Sequence, residues 1–196
     1  LVDDSSQCRP WILLSSWMNK VDSEYWMNQI NKNLKWEQPV VSVCGSSYVV
    51  PRMTTFLAEK KISYCYSGFV HYGNGWPDWF SPLLKMVSFE SKVKFNGCLL
   101  NLYRDGNDRM GWHADNEPEL DLTKSIASLS FGATRDFVLK HRISNMREVL
   151  SLETGDLLIM HPNCQKDWMH SIPIRRNILD QRINLTFRCY NSSIIR

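Results

Sequence analysis

The sequence lacks the cysteine pairs, long apolar runs and repeats that are typical of zinc-binding, membrane and repeat proteins. Its six cysteines include no Cys-x-x-Cys pair, so neither a zinc finger nor a thioredoxin-type motif is expected. It has no apolar run of about 18 residues and no signal peptide, so we expect no membrane span. It also has no internal repeat, low-complexity segment or linker. These absences predict a reduced, intracellular protein that is cytoplasmic or, in a eukaryote, nuclear.

The size and charge of the chain suit one folded domain. With 196 residues, of which 43% are hydrophobic and 22% charged, it can build a sizeable core. Its net charge of +3 permits an anionic partner without requiring one. We predict a monomer in which residues 1–22 are an N-terminal extension and residues 95–196 form the core. Residues 23–94 then supply helices and hairpins to the same domain.

The first half of the sequence shows helical and hairpin patterns. Trp26, Ile30 and Leu34 recur at every fourth position, which predicts an amphipathic helix with Asp22 or Ser23 as its cap. A β-branched run interrupted by glycine and serine predicts a hairpin. The predicted elements are a helix over 23–36, a hairpin over 40–50, a strand over 62–66 and a helix over 79–91.

From residue 95 onward the pattern changes to short strands with polar turns. The predicted strands are 95–103, 125–131, 135–140, 147–152, 155–160, 167–172 and 182–190. Many short strands of this kind are typical of a sandwich or barrel. Because the helices come first, we predict an α+β, mainly β fold: a jelly roll buttressed by N-terminal helices.

A His-x-Asp motif follows the first of these strands. On an extended chain His113 and Asp115 share a face, because residues two apart point the same way. His170 could supply a third ligand. Two histidines and one carboxylate leave open metal positions, as non-haem Fe(II) oxygenases require. Since His-x-Asp also occurs often by chance, the motif alone does not decide between a metal site and an ordinary strand end.

The last strand carries polar side chains on one face and apolar side chains on the other. The polar row consists of Arg182, Asn184, Thr186 and Arg188. This row could be a solvated sheet face, or it could be a carboxylate site in which two arginines grip a dicarboxylate. Asn101 and Tyr103, which are also two residues apart, could hydrogen-bond the same acid.

Six segments now occur in a recognisable order. They are Asn101-Leu102-Tyr103, His113-Ala114-Asp115, Ser128-Leu129-Ser130-Phe131-Gly132-Ala133-Thr134-Arg135, Gly155-Asp156-Leu157-Leu158, His170-Ser171-Ile172-Pro173 and Arg182-Ile183-Asn184-Leu185-Thr186-Phe187-Arg188. Together they resemble the AlkB family of Fe(II)/2-oxoglutarate dioxygenases, the oxidative dealkylases of nucleic acids. The resemblance covers about residues 24–190. It is strongest to the homologues that repair 1-methyladenine and 3-methylcytosine.

The resemblance implies a double-stranded β-helix that uses Fe(II), 2-oxoglutarate and O2. It places iron on His113, Asp115 and His170. It pairs Arg182 with the distal carboxylate of 2-oxoglutarate and Arg188 with the C1-carboxylate end. The helpers of Arg188 would be Asn101, Tyr103 and Thr186, with Asn184 on the same polar row. The implied reaction hydroxylates an N-methyl group and releases formaldehyde, succinate and CO2.

The resemblance also suggests a nucleotide side of the site. Tyr66 would stack on a flipped base beside Tyr64, and Glu117 would face the exocyclic amino group of that base. Arg52 would lie near the nucleic-acid strand, which could be DNA or RNA. The alternatives are that the two tyrosines pack a core, that Glu117 is a turn carboxylate and that Arg52 is an ordinary surface residue.

One segment departs from the family pattern. Duplex-specialist members carry Val-Phe-Gly before Pro-Arg, whereas this chain has Val43-Cys44-Gly45. Cys44 is too small to fill the gap left by a flipped base, so we predict a preference for single strands. Two other classes stay open: an oxygenase acting on RNA, protein or small molecules, and an inactive nucleic-acid-binding module. An inactive module would normally have lost one of the ligands.

Overall fold

The computed structural model describes residues 9–43, 46–66 and 69–191. In chain order the strands are β1 (Trp11–Leu14), β2 (Val40–Val43), β3 (Ser46–Val49), β4 (Met53–Ala58), β5 (Ser63–Tyr66), β6 (Phe69–Tyr72), β7 (Gly97–Tyr103), β8 (Met110–His113), β9 (Ile126–Gly132), β10 (Arg135–His141), β11 (Arg147–Leu152), β12 (Leu157–Met160), β13 (Trp168–Ile172) and β14 (Arg182–Arg188). The helices are α1 (Lys20–Asn33), α2 (Ser81–Ser91) and α3 (Pro162–Asp167), with a 3-10 turn at Asp78–Phe80 before α2.

Two antiparallel sheets form the body of the protein. The major sheet has the strand order β1-β12-β9-β14-β7-β4, and the minor sheet has the order β11-β10-β13-β8. Side chains of both sheets meet in one apolar cluster that includes Tyr103, Phe137, Leu139 and Leu158. Two sheets packed through a shared interior are the architecture of a jelly roll. The predicted mainly β jelly roll is therefore confirmed.

The helices α1 and α2 cover the outer face of the major sheet. Ile30 of α1 and Leu83 of α2 pack in one cluster with Leu129, Leu185 and Phe187 of the sheet. Alternation along β14 therefore sends its apolar residues to the helices and its polar residues to the space between the sheets. No helix within the described ranges is long and apolar enough to cross a membrane.

The first helix begins earlier than predicted. It runs over Lys20–Asn33 rather than 23–36, and its cap is Asn19 instead of Asp22 or Ser23. The Asn19 side chain accepts a hydrogen bond from the backbone N–H of Asp22 at 2.9 Å, which satisfies one of the free donors of the first turn. The predicted hairpin is present as β2 and β3, with Val40 opposite Val49.

Four strands and one helix are not indicated by any local pattern, and one of them, β6, pairs with β5 as a hairpin. β1 lies inside the predicted N-terminal extension, yet it pairs with β12 at the edge of the major sheet. β4 pairs with β7 along its whole length, so the sheet crosses the predicted boundary at residue 95. β8 and α3 are too short to show a period. The other four, β1, β4, β8 and α3, are held by tertiary contacts that no local pattern reports.

Candidate active site

The three predicted metal ligands come together between the sheets. His113 is the last residue of β8, and the register of the minor sheet places it opposite His170 of β13. The two imidazole rings are 4.2 Å apart between centroids. Asp115 follows two residues after His113, and one ligand atom from each of the three residues lies within 4.8 Å of the others. Two imidazoles and a carboxylate in this arrangement match the donor set of a non-haem Fe(II) site.

The electrostatics of these residues suit metal coordination. Burial alone would raise the pKa of Asp115, but the charge of Arg188 and the two histidines lower it to about 2, so the carboxylate is ionised. Nη2 of Arg188 donates to Oδ1 of Asp115 at 2.6 Å. Burial and the neighbouring His113 lower the pKa of His170 to about 3. His170 is therefore a neutral imidazole at pH 7, which is the form that binds a metal ion.

The polar row of β14 lies in the wall of the same cavity and is not a solvated face. Arg182, Asn184, Thr186 and Arg188 are all less than a tenth exposed. β14 lies between β7 and β9, so Arg182 is opposite Tyr103 on one side and Gly132 on the other. Arg182 Cζ lies 5.4 Å from the centre of the Tyr103 ring. The solvated-face alternative is wrong for this strand, because the second sheet covers it.

Arg182 has hydrogen-bonding capacity that the protein does not use. Its Nη2 donates to Oγ of Ser130 at 3.0 Å. Its Nε and Nη1 are buried without an acceptor in the described part of the chain, and the same holds for Nε and Nη1 of Arg188. Burial lowers the pKa of Arg182 to about 10. Unused buried donors of this kind call for an anionic partner, and the two carboxylates of 2-oxoglutarate fit them.

Three of the four other predicted co-substrate residues already form hydrogen bonds with neighbouring side chains. Asn184 Nδ2 donates to Ser128 Oγ at 2.7 Å, and Thr186 Oγ1 donates to Asn184 Oδ1 at 3.0 Å, so these polar side chains already bond one another. Asn101 Oδ1 accepts a hydrogen bond from Arg52 Nε at 2.7 Å. Arg52 is only 3% exposed, so it belongs to the cavity wall and the surface alternative is wrong.

Arg135, the last residue of the segment that runs from Ser128, is a structural residue. It is 1% exposed, and its guanidinium donates to the carbonyl oxygens of Asp105, Asp108 and Pro173 at 2.7–2.9 Å. The first two carbonyls precede β8, and the third follows β13. Arg135 therefore ties together the two strands that carry His113 and His170. An arginine inside a predicted strand was the available signal.

At the far end of the cavity, Tyr64 holds Glu117. The Tyr64 hydroxyl donates to Oε1 of Glu117 at 2.9 Å, while Oε2 is buried and has no donor among the described residues. The Tyr64 ring is 1% exposed and packs against His71 and Tyr190, so the protein covers it. Burial raises the pKa of Tyr64, which keeps the hydroxyl protonated as a donor.

The remaining predicted nucleotide contacts cannot be placed. Cys44 and the side chains of Val43 and Tyr66 lie outside the described residues. Their backbone neighbours form the hairpins β2–β3 and β5–β6, each a separate two-stranded sheet.

Comparison with known proteins identifies the class. The sequence model of the 2OG-Fe(II) oxygenase superfamily matches residues 11–188. The chain is 35% identical over 187 residues to the DNA oxidative demethylase ALKBH2 of Arabidopsis thaliana, covering 81% of this chain and 59% of the relative. It is 38% identical over 156 residues to the human protein of that name, covering 76% and 60%. It is 33% identical over 180 residues to human alpha-ketoglutarate-dependent dioxygenase alkB homolog 3, covering 85% and 61%.

A solved structure supports the fold independently. The structure of OsALKBH1 superimposes with a TM-score of 0.65 at 16% identity, covering 93% of this chain and 97% of that chain. The chain spans about three fifths of the length of the curated relatives it matches. In this jelly roll a His-Asp-His triad, of which Asp115 and His170 are buried and His113 is half-buried, lies beside two buried arginines, and its donor set is the one this class of oxygenase uses. The chain belongs to the 2OG-Fe(II) oxygenase superfamily and, within it, to the AlkB family.

Proposed function

We propose that this protein demethylates N-alkylated bases in DNA, of the 1-methyladenine and 3-methylcytosine type, with Fe(II), O2 and 2-oxoglutarate. The products are formaldehyde, succinate and CO2. One observation carries the proposal: a single cavity contains the metal triad, two buried arginines with unused donors, and a carboxylate with an unused acceptor. Its lining includes His113, Asp115, His170, Arg182, Arg188 and Glu117. The names of the relatives support DNA as the substrate.

The protein supplies the geometry of the reaction. Iron held by His113, Asp115 and His170 supplies the activation of oxygen. Arg182, at the deep end of the polar row, binds the distal carboxylate of the co-substrate through its unused nitrogens. Arg188 has two tasks, because one nitrogen fixes the Asp115 carboxylate and two others stay free for the C1-carboxylate end.

Glu117 gives the site its preference for an amino-bearing, positively charged base. Methylation at N1 of adenine or N3 of cytosine leaves a cationic ring whose exocyclic amino group is a donor. Tyr64 engages Oε1 of Glu117, so Oε2 is the oxygen that accepts from that amino group. A buried acceptor that meets its donor only in the correct substrate gives strong discrimination, because the wrong partner leaves it unpaired.

The mode of nucleic-acid binding follows from the sequence. Val43 and Cys44 are the predicted contacts on the strand, and Tyr66 is the predicted stacking residue. Arg52, also a predicted strand contact, lines the cavity next to Asn101. A small side chain at Cys44 favours substrate that is already single-stranded, since extruding a base from a duplex costs a few kcal/mol. The protein is expected to act as a monomer on nucleic acid inside the cell, in the cytoplasm or nucleus.

The test measures formaldehyde and succinate from oligonucleotides carrying one 1-methyladenine. Single- and double-stranded DNA and RNA of one sequence are compared, with the unmethylated oligonucleotide and the Asp115→Ala variant as controls. Glu117→Gln keeps the size of the side chain but removes its charge. This variant is expected to demethylate methylated DNA more slowly, while its succinate release in the absence of nucleic acid stays unchanged. The assignment would be refuted if, for every nucleic acid tested, succinate release were the same with the methylated and the unmethylated oligonucleotide.

A further inference from the structure

Asp115 lies beyond the regular part of its strand. β8 ends at His113, and the register of β8 with β13 places no ladder partner opposite Asp115. The carboxylate is held by Arg188, as described above, but this contact constrains only the end of the side chain. The backbone of a metal ligand outside a sheet needs another anchor if the carboxylate is to keep a fixed distance from the histidine ligands.

Gln165 provides that anchor. Its Oε1 accepts a hydrogen bond from the backbone N–H of Asp115 at 2.9 Å. Because the Asp115 N–H can only donate, the oxygen of the Gln165 amide must face it. The amide nitrogen then points to Met160, where it meets Sδ at 3.5 Å. Gln165 is 6% exposed, so water does not replace it freely.

The position of Gln165 in the chain links this hydrogen bond to the strand that carries His170. Gln165 lies in α3, which leads directly into β13, the strand that carries His170. One residue therefore connects the carboxylate ligand to the segment that positions a histidine ligand. A change in this bond alters the spacing between Asp115 and His170 without removing any ligand.

We propose that Gln165 is a positioning residue that sets the geometry, and hence the affinity, of the metal site. Gln165 is not one of the residues that line the cavity, so its effect on the metal site must pass through Asp115. The inference rests on the proposed metal site and adds to it a residue that no ligand motif contains. Partners that orient metal ligands typically change metal affinity by about 10- to 100-fold when they are removed.

The test measures Mn(II) binding by the full chain without oxygen, together with the visible absorption spectrum of the Co(II)-loaded protein. Gln165→Met keeps the length of the side chain but removes the acceptor. It is expected to raise the Mn(II) dissociation constant about 10- to 100-fold and to change the Co(II) spectrum. Gln165→Glu restores an acceptor oxygen and is expected to recover most of the affinity.

Two control variants separate this role from general destabilisation. Cys164→Ala perturbs the packing of the same helix at a fully buried neighbour, and Met160→Leu removes only the partner of the amide nitrogen. Both are expected to keep the Mn(II) affinity of the parent within about threefold, well short of the loss assigned to an orienting partner. Should Gln165→Met not fold, Gln165→Ser is measured instead, and the same loss of affinity is expected.

The outcomes are distinguishable. If Gln165→Met binds Mn(II) like the parent, or if Cys164→Ala weakens binding equally, the positioning role is overturned while the metal site stands. If the parent itself binds no Mn(II), the metal site and the proposed function are overturned together with it.

Discussion

Replacing Arg182 with methionine should strongly weaken co-substrate binding without weakening the fold. Arg182 is 1% exposed, and its Nη2 donates a hydrogen bond to Oγ of Ser130. Two of its nitrogens have no acceptor within the described structure. A dicarboxylate bound in this cavity would therefore lose its main charge partner, and the protein would lose little.

The size of the effect follows from the burial of the charge. Removing one partner of a buried, hydrogen-bonded ion pair costs roughly 2–5 kcal/mol. At about 1.4 kcal/mol for each tenfold change, the dissociation constant of 2-oxoglutarate should rise roughly 30- to 4,000-fold. Arg182→Lys should recover only part of this loss, because an ammonium point charge does not reproduce the planar guanidinium.

Stability should respond in the opposite sense. Burial lowers the pKa of Arg182 to about 10, which means that the interior disfavours its charge in the ligand-free protein. Apolar residues that replace buried charges are often neutral or stabilising. We therefore expect the ligand-free Arg182→Met protein to unfold at the same temperature as the parent or a higher one.

The assay is isothermal titration of 2-oxoglutarate into the Mn(II)-loaded protein without oxygen, beside thermal unfolding of the ligand-free forms. Ser130→Ala is the matched control, because it removes only the hydroxyl that Arg182 contacts. It should weaken 2-oxoglutarate binding far less than Arg182→Met. Unchanged 2-oxoglutarate binding by Arg182→Met would show that the polar row of β14 has another purpose. A clear loss of thermal stability would show that Arg182 is a structural residue.

Three further predictions concern the metal, the pH and the substrate strand. His113→Ala, Asp115→Ala and His170→Ala should each abolish turnover and Mn(II) binding, and full activity in any one of them would remove that residue from the site. Without metal, the free energy of unfolding should fall as the pH drops from about 6.5 towards 3, because His170 titrates near 3 when folded and near 6.5 when unfolded, so the unfolded state takes up the proton first. Asp115, lowered from 3.8 to about 2, should add a further loss in that lower range, and a His170→Asn protein with the same slope above pH 4 would contradict this account. The initial rate on a single-stranded 1-methyladenine oligonucleotide should be higher than on the same oligonucleotide annealed to its complement. Cys44→Phe should raise the rate on the duplex more than the rate on the single strand. Equal or faster repair of the duplex by the parent protein would refute the preference.

Local patterns determined the elements whose periodicity is strong. The alternation along β14 and the spacing of Trp26 and Ile30 depend on neighbours a few residues away, so they can be read from the chain. His113 and Asp115 were candidates for the same reason. The exact start of α1 was missed because Asn19 caps it with a side-chain contact that several nearby residues could equally make.

Tertiary structure alone decided which of the open alternatives hold. The sequence of the polar row on β14 is equally compatible with a solvated face and with a binding face. The minor sheet packs over this row and buries Arg182 and Arg188, which excludes the solvated face. Likewise, only the packing around them decides that Arg52 is not a surface residue and that Tyr64, the predicted neighbour of the stacking residue, is covered by the protein.

The residues that organise the site were the least visible in the sequence. Gln165 meets Asp115 across 50 positions, and Arg135 reaches backbone carbonyls that belong to two separate loops. A hydrogen bond to a backbone atom places no requirement on the type of the residue that supplies this atom, since every residue carries the same amide. Such a contact therefore cannot be recognised from the sequence. The sequence by itself therefore determined the candidate ligands and the periodic elements. Only the folded chain determined what holds those ligands in place.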